Sequence, residues 1–501
     1  MSGHWLIAPV LVPAVAAALL VLLRPLAVQR TLSLATCVIL VVVAVRLAVE
    51  ADGGALTVYA LGNWRPPFGI VFVLDRVSAL MLLLTALLAL PVALAMTGGE
   101  DERGLYLHAL LQFQLMGLNG AFLTGDLFNL FVFFEVLLIA SYCLLLHGQS
   151  AGRVRAAWHY VVVNLVGSSL FLIAVALLYA MTGTLNLADL AVRLPTLQGG
   201  DRVLAQSAAL MLLVVFALKA ALFPLFLWLA PTYSNAAAPV AALFAIMTKV
   251  GIYAIVRVYP MVFGGSAGEA ALDLRLWLLP PALATMACGA LAALTSRRLS
   301  GIAAQLTLLS VGTVLAVGAL SSTAAVSASL YYLAHSTLAG ALLFLVCGLV
   351  AAQRGDMRDL LRRAAPLRHA QSSAVLFLVA AVAVTGIPPM SGFMAKAMLL
   401  QASVGESATP WVWGFILVTS FIAILALMRG GIVVFWMSRS RQSSGAGVPA
   451  PLMRATLALV TLVLALAVLA GPIKGFTDAA ALQVVDTQSY VRAVLGQGGR
   501  P

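Results

Sequence analysis

Charge is scarce in this chain. Asp, Glu, Lys and Arg together make up 9% of its 501 residues, against 63% hydrophobic; a soluble domain carries about a quarter charged residues. That shortage excludes a water-facing globular surface. Cysteine is also rare: Cys37, Cys143, Cys288 and Cys347 are scattered through apolar runs without a CxxC pair, which argues against a metal or iron–sulfur centre. The nucleotide motif GxxxxGK[ST] is missing, so ATP is not expected to drive the protein. The first apolar run, "WLIAPVLVPAVAAALLVLLRP", has neither a preceding basic stretch nor a small-residue cleavage site. It reads as a retained span rather than a removed signal peptide.

What the chain has instead is apolar sequence in helix-length pieces, the mark of an all-α polytopic membrane protein. About fourteen spans are expected, near 5–23, 31–49, 77–97, 106–124, 127–146, 157–181, 207–230, 237–260, 275–295, 302–320, 326–350, 373–402, 411–437 and 453–471. With no long linker between them, they should form one membrane domain. The stretch "RSRQSSGAGVPAP" (439–451) reads as a flexible loop. The tail after Pro472 is expected along the membrane surface.

The net charge of +12 does not point to nucleic acid, because most arginines fall in short loops. Loops that follow odd-numbered spans hold Arg24 and Arg30, Arg103, Arg153 and Arg155, Arg297 and Arg298, the group Arg354 to Arg368, and Arg439 and Arg441. Even loops and the tail hold fewer: Arg65, Arg193, Arg202, Lys474, Arg492 and Arg500. Positive-inside then sets both termini outside the cytoplasm.

Lysine breaks this pattern. Only four of the 29 basic residues are lysines, and three of them, Lys219, Lys249 and Lys396, lie inside apolar segments. Each intramembrane charge costs a few kcal/mol. Lysine, unlike arginine, sheds its proton readily on desolvation. Glu135, in "FNLFVFFEVLLIASYCLLL", is a carboxylate in equally apolar surroundings. Buried lysines with one buried glutamate are the parts of a proton relay. The competing readings are snorkelling, chiefly for Lys396, and a structural ion pair or protonated acid for Glu135.

Two lysines accompany broken spans. Pro224 follows Lys219 by five residues, and "TGIPPMSGF" (Thr385–Phe393) precedes Lys396. Proline interrupts a helix, and membranes tolerate irregular backbone where it is buried in protein or lines a wet cavity. One such break in each half points to an internal repeat with ion sites near the midplane; an ordinary kink is the alternative. His335, in "LYYLAHSTLAGALLFL", could pass protons between lysines or be a hydrogen-bonded structural histidine. Asn164, Ser168 and Ser169 could hold water along a helix face, but small polar residues also glue helices together, and packing is the favoured reading. His159 is a candidate entry point for protons. Asp75 and Arg76 read as a cap or anchor at a span entry.

The segments "FLTGDLFNLFVFFEVLLIASYCLLLHG", "ALKAALFPLFLWLAPTYSNAAAPVAALFAIMTKVGIYAIVRV" and "GIPPMSGFMAKAMLL" resemble the antiporter-type subunits shared by respiratory complex I and the Mrp-type multisubunit cation/proton antiporters. "VLDRVSALMLLLTALLALP" and "ALLYAMTGTLNLADLA" resemble the Mrp D subunit most, and the likeness spans roughly residues 70–400. It implies fourteen helices with two inverted five-helix repeats, broken at spans seven and twelve. The expected parts are helices 1–3 (1–105), a first repeat (106–260), a second repeat (275–437) and a C-terminal helix and tail (453–501). It implies a relay of Glu135, Lys219, Lys249, His335 and Lys396, with no cofactor and no metal. Its partners would be other antiporter subunits, protons, a monovalent cation such as Na+, and the lipid of a bacterial inner membrane. Two positions depart from the family pattern: Ser336 and Gly340 stand where a second polar residue and a lysine are usual. "RRLSGIAAQLTLLSVGT" is also less polar than its counterpart. Either water bridges a longer gap there or the outward leg is altered.

Three functions follow. The first is the proton-translocating subunit of a secondary cation/proton antiporter, not an enzyme, in which a Glu135–Lys219 pair opens and closes to pass a proton on. The second is a proton-pumping subunit of a redox-driven complex, such as a complex I relative or a membrane-bound hydrogenase. The third is a scaffold whose charges only hold helices together.

Overall fold

The computed structural model describes residues 2–437 and 447–496. Arg439, Arg441 and Arg500, and residues 439–446 of the expected loop, lie outside the described residues. Ala450 and Pro451, expected in that loop, already open a helix.

The described chain is helical almost throughout. Helices α1 (Ala8–Leu22) and α2 (Leu26–Asp52) are followed by an antiparallel hairpin, β1 (Thr57–Ala60) with β2 (Val71–Leu74). Then come α3 (Arg76–Met96), α4 (Leu107–Leu123), α5 (Leu127–Leu146), α6 (Ala151–Thr182), α7 (Leu187–Arg193) and α8 (Gly199–Ala220). The centre of the chain gives α9 (Leu229–Asn235), α10 (Ala238–Phe244), α11 (Met247–Val262), α12 (Leu274–Thr295), α13 (Leu299–Gly318) and α14 (Thr323–Gln353). The remainder gives α15 (Ala370–Thr385), α16 (Ser391–Ala402), α17 (Thr409–Gly431), α18 (Ala450–Val468), α19 (Ala470–Val485) and α20 (Thr487–Leu495).

Twelve helical stretches among the described residues are long and apolar enough to cross a bilayer. The other two expected spans fall on α4, with 17 residues, and on the interrupted pair α15 and α16. The hairpin was not expected: its strands are four residues long and lack the alternation that marks a strand in sequence.

Burial sorts the helices into layers. The most apolar window of α10–α11 is 94% buried, and those of α13 and α14 are 83% buried. The windows of α1, α2, α6, α12, α17 and α18 bury only 33–39%. The inner helices carry Lys249, Ser310 and His335, and the outer ones present leucine, valine and isoleucine outward, as lipid contact requires.

Local chemistry fixes the ends. Asp75 caps α3 by accepting from Ser78 N at 2.8 Å, in keeping with its place at a span entry. The same carboxylate takes a bidentate bond from Arg257 of α11 at 2.5 and 2.7 Å. Burial alone would raise the Asp75 carboxyl; Arg257 and Ser78 outweigh it and hold it below the usual range. The tail packs back on the protein: α19 lies against α14, α3 and α11, and Tyr490 of α20 faces the Arg257 guanidinium at 5.7 Å.

On the odd-loop side, Asp359 pins the connection after α14 to the turn before α13. It accepts from Arg298 at 2.9 Å and Ser300 N at 2.9 Å, and burial is again outweighed by these partners, so its carboxyl lies low. Arg354 binds the carbonyls of Leu360 and Arg362 at 2.7 and 2.6 Å. Arginines counted for orientation are therefore also built into the loop.

Candidate functional site

The two proline breaks share one construction. Helix α8 ends at Ala220, and Ala221 turns left-handed (φ 61°) ahead of Pro224. Helix α15 ends at Thr385, and Gly386 turns left-handed (φ 80°) ahead of Pro388 and Pro389. Each turn leaves carbonyls without an intrahelical donor. At the first break, Trp228 Nε1 donates to Leu218 O at 3.1 Å. At the second, Lys396 Nζ donates to Thr385 O at 2.7 Å.

Both lysines thus stand at the C-terminal end of a half-helix, Lys219 in the last turn of α8 and Lys396 against the end of α15. The helix dipole favours a positive charge at that end.

A third irregularity lies between α10 and α11, where Ala245 and Ile246 donate to the carbonyls three residues back, Ala242 and Leu243, and Lys249 is the third residue of α11. Neither proline nor glycine marks it in the sequence. The freed carbonyl of Phe244 accepts from Tyr233 OH at 2.7 Å. Gly251 lets α11 approach α8 closely here: a Cβ on it would stand 2.7 Å from Phe216 O and 2.6 Å from Ala220 N.

The lysines have neutral partners. Lys219 is buried, and its Nζ donates to Asn164 Oδ1 at 3.3 Å. Lys249, fully buried, donates to Ser310 Oγ at 3.2 Å and Thr248 Oγ1 at 3.4 Å. Lys396 also donates to Ser420 Oγ at 2.8 Å, so its amine is tied inward rather than extended to the surface. Among the described residues, no carboxylate lies within 4 Å of any of the three. Arg257, with its carboxylate clamp, is the counter-example within the same protein.

Glu135 is half-buried on α5 and accepts from Ser168 Oγ. It makes no direct ion pair with Lys219. The two are joined through α6, where Asn164 and Ser168 sit one turn apart. In the sequence these two read as packing residues. Their spacing of four on one helix face, beside a buried Glu and a buried Lys, was the available signal. Ser169 bonds its own helix at Leu165 O. His159 is exposed on the outer side of α6, while Tyr160 beside it is buried and faces Lys219 across a small cavity.

That cavity, about 20 Å³, is bounded by Tyr160, Asn164, Lys219, Trp228, Met247 and Val250. A second one, also about 20 Å³, is bounded by Thr307, Ser310, Tyr332, His335, Ser336 and Gly340 among others. Each has room for about one water molecule. The second lies where the departures from the family pattern cluster. It joins Ser310, the partner of Lys249, to His335. His335 in turn bonds Ser391 Oγ at 2.9 Å through Nδ1. Ser391 is the first residue of α16, the helix that carries Lys396. Gly392 next to it is held by space: a Cβ there would run into Ala383 O and stand 2.9 Å from His335 Nε2.

Glu135, Ser168, Asn164, Lys219 and the first cavity form one polar series, and Lys249, Ser310, the second cavity, His335 and Ser391 form another, with Lys396 further along the helix that Ser391 opens. Such a series can hold and hand on protons.

Residues 124–423 match the family model described as NADH:quinone oxidoreductase/Mrp antiporter, TM. The chain is 40% identical over 470 residues to the D subunit of a probable K(+)/H(+) antiporter of Rhizobium meliloti, covering 87% of each. It is 35% identical to the D subunit of a Na(+)/H(+) antiporter of Alkalihalophilus pseudofirmus, over 98% of this chain and 99% of that one. Its fold superposes on a chain of the Mrp complex from Dietzia sp. with a TM-score of 0.87 and 29% identity, covering 98% of this chain and 100% of that one. The broken helices, the buried lysines and these likenesses agree, and the chain belongs to the transmembrane family of NADH:quinone oxidoreductases and Mrp antiporters, in the branch formed by the antiporter D subunits.

Proposed function

We propose that this chain is the proton-translocating subunit of a multisubunit monovalent cation/proton antiporter. Protons move along Glu135, Lys219, Lys249, His335 and Lys396 near the membrane midplane. The observation that carries this reading is the set of partners of the buried amines: each bonds hydroxyl, amide or carbonyl oxygen, and none has a carboxylate within 4 Å among the described residues. A lysine fixed for structure would be expected in a clamp like that of Arg257 and Asp75. A lysine that must lose and regain its proton is better served by neutral partners that accommodate either state.

In this reading the Glu135–Lys219 switch works through α6 rather than by direct contact. When Glu135 approaches Lys219, the ammonium is favoured. When Ser168 and Asn164 hold them apart, burial favours release of the proton toward Lys249. The second cavity supplies the water that bridges Lys249 and His335 in place of the family's lysine. The architecture is fourteen passes with two inverted five-helix repeats, at 106–260 and 275–437, preceded by helices at 1–105 and followed by a helix and tail at 453–501. Both termini lie on the outer side of a bacterial inner membrane. The partners are the other antiporter subunits and a monovalent cation. The relatives' names carry both K(+) and Na(+), so the exchange assay should use each.

Glu135→Ala or Lys219→Ala in the assembled complex should abolish cation-dependent pH changes in inside-out vesicles. Unaltered exchange with normal assembly would refute the relay. The second reading, a component of a redox-driven pump, is kept because the family model spans NADH:quinone oxidoreductases as well. NADH- or hydrogen-dependent activity of the purified complex would decide for it.

A further inference from the structure

A cavity of about 530 Å³ opens at the even-loop ends of α11, α13 and α14. Its mouth is formed by the connection between α11 and α12, the turn before α14 and the junction of α19 with α20, with Ser266, Asp273, Ser321, Asp486 and Gln488 among the bordering residues. Its innermost wall is Ile252 of α11, Val314 of α13 and Ser329 of α14.

Those three residues measure its depth. Ile252 stands three residues beyond Lys249 on α11, and Val314 stands four beyond Ser310 on α13. Ser329 stands three before Tyr332 on α14, which runs the opposite way. Lys249 donates to Ser310 Oγ at 3.2 Å, and Ser310 and Tyr332 both border the second cavity. On each of the three helices about one turn, roughly 5.4 Å, therefore separates the floor from Lys249 or from the second cavity. A hydroxyl sits in that floor: Ser329 Oγ donates to Val314 O at 3.3 Å.

Charge at the mouth is of one sign. Asp273 and Asp486 are exposed there, capping α12 and α20. Among the described residues no Lys, Arg or His borders the cavity, and Arg275 is paired with Glu406 at 3.4 Å. In a chain of net charge +12 this is a local reversal. An acidic mouth with low-dielectric walls concentrates cations, protons included. The apolar wall deeper in, Ile252, Val314 and Val326, is of the kind that gates by wetting and drying.

The Lys396 end is built differently. Its amine bonds Thr385 O at 2.7 Å, and the cavity that Thr385 borders lies between α15 and α17. That space is walled by Phe377, Leu378, Val382 and Leu427 among others, and it reaches Trp436, beyond the odd-loop end of α17.

We propose that the cavity between α11, α13 and α14 is the outer vestibule of the lysine relay, in which water carries protons between the even-loop face and the second cavity past Ser329. This role rests on that relay. It sets the outward leg between Lys249 and His335 rather than beyond Lys396. No covalent step is involved, only exchange of a hydrated proton.

Cysteine labelling tests this. Cells making the whole complex with Val314→Cys or Val326→Cys are treated from outside with a small, positively charged, membrane-impermeant methanethiosulfonate, and inside-out vesicles are then prepared. Both variants should be modified, read as a mass shift, and should lose most exchange, while treated wild type with its native cysteines keeps its rate. Adding Asp273→Asn and Asp486→Asn, which preserves the helix caps, should slow labelling several-fold at low salt and little at high salt. The proposal is overturned if the charged reagent leaves both cysteines unmodified, and uncharged maleimide alone reaching them would mark an acyl-chain pocket instead. It is equally overturned if modified complexes exchange normally. Should either variant fail to assemble, Leu315→Cys on the same wall takes its place. Labelling needs no transport, so it reports on the vestibule even where the Glu135 and Lys219 variants refute the relay.

Discussion

Asn164 accepts a hydrogen bond from Lys219 at 3.3 Å, and one turn along α6 Ser168 donates to Glu135. Helix α6 therefore stands between the two charges as a polar spacer. Asn164→Leu removes the one side-chain partner that the Lys219 amine has among the described residues. A hydrogen bond to a charged group contributes about 1.5–3 kcal/mol, so exchange in inside-out vesicles should fall about tenfold to a hundredfold. Ser168→Ala leaves Lys219 bound and should have the smaller effect. Equal, wild-type rates in both variants would remove α6 from the mechanism.

Gly340 borders the second cavity, and a Cβ on it would meet only ordinary contacts, Thr307 Oγ1 at 3.8 Å and Ala245 Cβ at 3.9 Å. Gly340→Ala is expected to fold and to exchange. Gly340→Leu fills the space between Ser310 and His335. It should assemble but lose most exchange, measured alongside subunit content by gel. Full activity in the leucine variant would mean that no water is needed there.

Gly392 has no such room. Gly392→Ala drives a methyl against Ala383 O and His335 Nε2. The break before α16 must shift, at about 1–3 kcal/mol for an overpacked site. Both the melting temperature of the complex and its exchange rate should drop.

Ala221 is a non-glycine residue held at φ 61°, a conformation that costs an L-residue roughly 1–2 kcal/mol. Glycine relieves that cost but loosens the unfolded chain by about 0.4–1 kcal/mol. Ala221→Gly should therefore leave the melting temperature unchanged or raise it slightly, and Ala221→Val should lower it. A clear loss of stability with glycine would contradict the left-handed turn after Lys219.

Asp359 is buried against Arg298 and Ser300, with its carboxyl held below the usual range. A depressed folded-state value means that the interaction contributes stability at neutral pH and loses it as pH falls below about 4. Asp359→Asn should cost about 1–3 kcal/mol at pH 7. The gap between variant and wild-type melting temperatures should then close under acid. A gap that stays constant with pH would show that charge is not what holds this loop.

Spans were readable because each is a long apolar run, and the two breaks because each sets proline close to an intramembrane lysine; Pro91 and Pro280, without one nearby, sit inside continuous helices. The lysines stood out because arginine fills the loops. The irregularity before Lys249 left no trace in composition; it depends on Tyr233 capturing a carbonyl from another element. The bond between Asp75 and Arg257 joins residues 182 positions apart, and Asp75 alone reads only as a cap. Asn164 and Ser168 looked like packing residues because small polar side chains serve both purposes. Only the neighbours, which come from α5 and α8, tell the two uses apart.

Tyr490 of α20 rests against Arg257, and α19 spans the ends of α3, α11 and α14. The last two helices of the described chain thus act as a stopper over an ion pair on α11, the helix that also carries Lys249. Cutting the chain after Leu469 would leave every member of the lysine series in place and admit water to Asp75 and Arg257 instead. A proton leak uncoupled from the cation, rather than simple inactivity, is the signature such a truncation should produce.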